Sequence, residues 1–156
     1  MSNQISELKF VAVKIDRLLR RYLAIHDVIF KLSWRKIIPL PFIFKPIDFS
    51  SLNSRLRELL SELKEYTQEV SSLLEVTKEQ ESHFGTVLLT YCEALIQTIS
   101  LLEEITYILA LKSNGSNKYN LKEHHEKCDL YNKSVSRYVS IGNQMNDLYQ
   151  RLYGFP

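Results

Sequence analysis

LNSRLRELLSELKEYTQEVSSL (52–73) and LLTYCEALIQTISLLEEITYIL (88–109) decide the fold of this chain. In both stretches apolar residues recur at alternating steps of four and three, which places them on one face of an α-helix. The first series is Leu52, Leu56, Leu59, Leu63, Tyr66, Val70 and Leu73. The second is Leu88, Cys92, Leu95, Ile99, Leu102, Thr106 and Leu109. Each stretch therefore predicts a helix that buries one face against other helices.

One further helix is predicted before this pair in the sequence, and another is predicted after it. The first carries a wide apolar face with Leu8, Ile15 and Tyr22, and the last is rich in tyrosine and follows a loop that contains Gly115. Scarce Gly and Pro, four of each, favour long helices. We therefore predict one all-α domain over 1–156, an antiparallel four-helix up-and-down bundle. The expected helices are 3–32, 51–78, 84–112 and 118–152.

The boundary between the second and third helices has two interpretations. Their seams are one residue out of phase, which is about 100° around a helix. The interval Glu75–His83 is polar, so a turn near Lys78–Gly85 would explain both features. The alternative is a single long helix from Ser51 to Lys112, because no proline forbids it.

The segment SWRKIIPLPFIFKPIDFS (33–50) links the first two helices. Its three prolines exclude a regular helix, and the second helix is expected to begin after a Ser50–Ser51 cap. Loops are usually polar, so an apolar connection either covers the bundle or meets another molecule. The candidate contact residues are Trp34, Arg35, Lys36, Ile38, Phe42, Phe44 and Lys45.

Charge is unevenly distributed along the chain. Residues 1–47 hold nine Lys/Arg and three Asp/Glu, a net +6, whereas residues 48–112 hold five and eleven, a net −6. This asymmetry predicts that the basic first helix packs beside acidic neighbours. With a pI of about 8.5 and no motif of groove-reading geometry, the sequence argues against a nucleic-acid partner.

The nearest approach to a metal cluster is His124 and Cys128, four residues apart on one helical face, with His26 as a further ligand. A structural zinc site normally needs four ligands at fixed spacing, so a partly buried polar face is the preferred interpretation. The two cysteines, Cys92 and Cys128, fall on apolar stripes and are expected to be small buried hydrophobes rather than a disulfide. We expect no cofactor and no catalytic site.

The function expected from the sequence is that of a non-enzymatic interaction or scaffold module. It would bind a protein partner, or a second copy of itself, through the apolar linker and the Tyr-rich fourth helix. The alternative is a bundle that binds or perturbs membranes peripherally through Trp34–Phe49, whose aromatic and cationic side chains suit an anionic surface. An enzymatic or metal-binding bundle is a third interpretation. Without a recognisable signal peptide or transmembrane span, we expect a cytoplasmic protein, at a membrane surface in the second case.

Overall fold

A computed structural model describes residues 2–30 and 47–154, with side chains from residue 7 onward. These residues form four α-helices, and the predicted all-α bundle is confirmed. The helices are α1 (Ser2–Phe30), α2 (Phe49–Val76), α3 (Glu79–Ser113) and α4 (Leu121–Tyr153).

Ion pairs fix the antiparallel register of α1 and α2. Lys14 Nζ lies 2.7 Å from a carboxylate oxygen of Glu69, and Arg21 makes a two-pronged contact with Glu62 at 2.7 and 2.9 Å. Seven residues forward along α1 thus correspond to seven residues back along α2. These contacts confirm the predicted pairing of a basic first helix with an acidic second one.

The connection between α2 and α3 is only two residues long. Thr77 and Lys78 both adopt extended backbone angles, which interrupts the helix. The merged-helix alternative is therefore wrong, and so is the predicted start at residue 84. Glu79 and Glu81 instead lie in the first turn of α3, where the helix dipole favours negative charge. The polar interval is thus largely the beginning of a helix.

Local capping interactions determine where the other helices begin and end. Helix α2 begins two residues before the predicted start, because the Asp48 side chain accepts a hydrogen bond from Ser51 N at 3.0 Å. Asp48, not the Ser50–Ser51 pair, is the cap. Gly115 follows α3 at a φ of +68°, the left-handed conformation expected of a glycine there. Helix α4 begins at Leu121, where the Asn120 side chain accepts hydrogen bonds from Lys122 N and Glu123 N as its cap.

Helix α3 is the centre of the bundle. It lies against each of the other three helices, and Leu88, Leu95 and Leu102 are completely buried. Among the described helices, α3 is also the one long and apolar enough to cross a membrane by length and composition, with a mean hydropathy of 1.5 in its most apolar window. Its place between three helices accounts for that composition, because a helix contacted on several sides needs few polar positions.

Truncation in α3 should destabilise the bundle far more than the same truncation at the surface. Leu95→Ala removes a side chain with no exposed surface, and we expect it to lower the free energy of unfolding by about 2–5 kcal/mol. Leu130→Ala is the matched control on α4, because Leu130 is 49% exposed. Urea denaturation measures both. Equal losses would contradict the central position of α3.

Candidate interaction groove between α1 and α4

Helices α1 and α4 meet through side chains rather than through close backbones. Across their described residues, no Cα atom of α1 lies within 8 Å of one in α4. Packed helices usually have axes 8–10 Å apart, at which distance some Cα atoms come closer than this. Helix α4 is held instead by α3, where Thr98 Oγ1 and Ser134 Oγ are 2.6 Å apart and Arg137 donates to Gln97 at 3.1 Å.

An aromatic bridge spans the gap at one level of the bundle. We define it as Tyr22, His26 and Phe30 of α1 with Tyr131 and Tyr138 of α4. The hydroxyls of Tyr22 and Tyr131 are hydrogen bonded, and His26 Nδ1 lies 2.6 Å from the Tyr131 hydroxyl. Phe30 stacks on the Tyr131 ring with centroids 5.4 Å apart. The bridge sets the separation of the two helices here.

The hydroxyls of the aromatic bridge are kept neutral by burial. Burial is the main cause that raises the pKa of Tyr22, of Tyr131 and of Tyr138 above the ordinary value. When Tyr22 donates to Tyr131 and Tyr131 donates to neutral His26 Nδ1, both hydroxyl hydrogens are satisfied. The bridge is therefore a hydrogen-bonded support for the two helices.

Beside the aromatic bridge the gap opens into an apolar cavity of about 390 Å³. We call it the α1–α4 groove. Its volume falls within the range of ligand and side-chain pockets in proteins. The lining residues are Ala12, Val13, Ile15, Asp16, Leu19, Phe84, Tyr91, Gly142, Met145, Asn146 and Tyr149.

Two small residues, Ala12 on α1 and Gly142 on α4, face this groove. A Cβ atom at position 142 would lie 3.1 Å from Cε2 of Tyr91, so glycine lets the Tyr91 ring pack directly under the α4 backbone. Since neither residue has a long side chain, nothing from these two positions fills the space between the helices.

The floor of the α1–α4 groove contains a buried phenol. Tyr91 is 3% exposed, and its ring lies edge-on to the ring of Tyr138 with centroids 6.2 Å apart. Burial is the main cause that raises the pKa of Tyr91, and the nearby Tyr138, Cys92 and Asp16 raise it further. Tyr91 is therefore a neutral hydroxyl that can accept or donate a hydrogen bond at the floor.

The rims of the groove continue its apolar character. Val13 and Leu23 on α1 are 37% and 39% exposed, and Val139 on α4 is 45% exposed. Polar residues at helical spacing on the same side of α4 as Gly142 carry no formal charge; they are Asn132, Asn143, Asn146 and Gln150. Of the described residues that line the groove, Asp16 alone carries a formal charge.

The predicted metal ligands are not assembled into a metal site. His124 and Cys128 line a second cavity, of about 680 Å³ at the end of the bundle, together with His125, whereas His26 belongs to the aromatic bridge. Within the described residues, no group of three His, Cys, Asp or Glu side chains could hold an ion.

Both cysteines are free thiols, and they differ in burial. Cys92 is completely buried, as predicted, and burial raises its pKa to about 12. Cys128 is half-buried, and burial raises its pKa as well. Neither environment stabilises a thiolate, the form that acts as a nucleophile.

The predicted contact residues of the linker lie outside the described residues, so their prediction is unchanged. These are Trp34, Arg35, Lys36, Ile38, Phe42, Phe44 and Lys45. Reasoning from the sequence did not single out the groove residues Ala12, Asp16, Tyr91 and Gly142.

Comparison of the chain with protein-family models, curated proteins and solved structures gives no match.

Tyr91→Phe should make the protein less sensitive to alkali. Because its folded-state pKa is raised, Tyr91 contributes stability that is complete below its ordinary pKa of about 10 and is lost as pH rises through the folded value. Removing the hydroxyl should leave the stability at neutral pH almost unchanged. Above about pH 10 we expect the decline to become shallower, by up to about 1.4 kcal/mol per pH unit.

Urea denaturation at a series of alkaline pH values measures this difference. Tyr107→Phe is the control, because Tyr107 is 51% exposed. If both variants showed the alkaline decline of the wild type, Tyr91 would not be buried as described.

Proposed function

We propose that the protein is a non-enzymatic interaction module that binds a helical segment of a partner protein. The observation that carries this proposal is the α1–α4 groove, where two antiparallel helices stand apart around an apolar cavity. Docking of an amphipathic helix into an apolar groove is a recurring mode of recognition.

The dimensions of the surface suit a helix. Its exposed apolar residues on α1 extend from Val13 to Leu23, which is about 15 Å at 1.5 Å per residue. A partner helix of three or four turns would cover this length. Tyr131 and Tyr138 are buried, so the contribution of α4 would come from the side that carries Val139 and Gly142, with the tyrosines supporting it from inside.

The proposal also favours the cytoplasm as the site of action. Free Cys92 and Cys128 are usual in a reducing compartment. The partner there would be another protein or a second copy of this chain.

Filling the groove should abolish helix binding. The probe is a fluorescein-labelled peptide with leucines at helical positions i, i+3, i+4 and i+7, uncharged polar residues elsewhere and a Gly-Ser tail. We expect Ala12→Phe to weaken binding at least about tenfold in fluorescence anisotropy, because the ring would occupy the cavity. Ala24→Phe introduces the same ring at an exposed position on α1 and should bind like the wild type.

Two results would argue against a groove for a partner helix. One is the absence of peptide binding to the wild type, and the other is equal binding by the two phenylalanine variants. Sedimentation velocity of the same proteins tests the second copy as occupant, which predicts a wild-type dimer that Ala12→Phe dissociates.

A peripheral membrane function is the alternative proposal. It is supported by the apolar and cationic sequence of Trp34–Phe49. We then expect the wild type to float with anionic vesicles at low salt and to detach at high salt. Trp34→Ser and Phe44→Ser should stay behind. If vesicle charge and salt had no effect, the membrane proposal would be wrong.

A further inference from the structure

Among the described residues, one charged side chain lines the α1–α4 groove, and it is acidic. The Asp16 carboxylate is 54% exposed and accepts a hydrogen bond from Arg20 Nε at 3.0 Å through Oδ2. Arg20 is 78% exposed. Exposed pairs of this kind contribute only about 0–1 kcal/mol, so a cation from a partner could replace Arg20 at little cost.

The negative charge of Asp16 influences Tyr91 at the floor of the groove. Asp16 is one of the groups that raise the pKa of Tyr91, after burial, Tyr138 and Cys92. Tyr91 lines the same cavity as Asp16, and its raised pKa keeps the hydroxyl neutral. A cationic donor that reached the floor would meet both a carboxylate and a phenolic oxygen.

The remainder of the groove suits an aliphatic stem. Ala12, Leu19, Gly142 and Met145 line it with small or apolar surface, and the α4 rim has no formal charge to compete for a cation. Lysine and arginine combine an aliphatic stem with a cationic tip, and they bury the stem while the tip meets a polar group.

We propose that the partner helix anchors itself in the α1–α4 groove with a lysine or arginine, whose stem packs between Ala12 and Gly142 and whose cation meets Asp16 and the Tyr91 hydroxyl. This inference rests on the proposed function, since it names the chemistry of the partner at that same groove. The partner is thus a basic amphipathic helix, and charge selects it among apolar helices.

The test is a set of matched peptides. The leucine-stripe peptide described above is made with one lysine, one glutamine or one glutamate at each position that flanks the stripe. Wild-type protein is compared with Asp16→Asn, which removes the charge, and with Asp129→Asn, an exposed α4 position outside the groove lining. Fluorescence anisotropy at low and at physiological salt gives the dissociation constants.

We expect lysine at the groove-facing position to tighten binding about three- to tenfold over glutamine in the wild type and in Asp129→Asn. In Asp16→Asn that advantage should fall below about twofold, and glutamate should bind worst in the wild type. Tyr91→Phe should reduce the lysine advantage in part, because the phenolic oxygen is lost.

The remaining outcomes separate this inference from the proposed function. If all peptides bound equally and Ala12→Phe abolished their binding, the groove would be apolar and unselective, and only the lysine anchor would be wrong. A lysine advantage that persisted in Asp16→Asn, or tightest binding of the glutamate peptide through Arg17 or Arg20, would also overturn the anchor. If no peptide bound the wild type, the proposed function would fail together with the anchor.

Discussion

Burial of α3 is the constraint on which the rest of the bundle depends. Its apolar residues are spread over several sides, so one neighbouring helix cannot remove them from water. Helix α2 covers one side after a two-residue connection, and α4 covers another after the loop that contains Gly115. Helix α1 then packs against α2 and α3. With these contacts made, the core is closed without any close approach of α1 to α4.

Because α1 and α4 stand apart, hydrophobic burial alone does not explain how α4 is connected to α1. Among the described helices, α4 comes close in its backbone to α3 alone, and its buried residues are Tyr131, Ser134 and Tyr138. Tyrosine is long enough to cross the gap to α1, and its hydroxyl finds a partner there in Tyr22 or His26. Aromatic side chains thus do what close helix packing does elsewhere in the bundle, and they do it at a larger distance.

The sequence predicted the helices and their core faces because both follow from the spacing of apolar residues. It placed the connection between α2 and α3 wrongly, since Glu79 and Glu81 stabilise a helix start while also resembling a polar turn. The α1–α4 groove was beyond prediction for another reason. Ala12 and Gly142 have ordinary places on their own helices, and only the three-dimensional arrangement shows that they face the same empty space.

Two sets of packed side chains keep α1 and α4 apart at the groove. At one level the aromatic bridge holds α1 and α4 at a fixed separation, and at the groove the Tyr91 ring packs under Gly142. Closing the gap would require Tyr22 and Tyr131 to lose their hydrogen bond or to leave the core, with a cost of about 1–3 kcal/mol for each buried polar group left unpaired. If a partner helix binds at this surface, as proposed above, little ordering on this side would oppose binding.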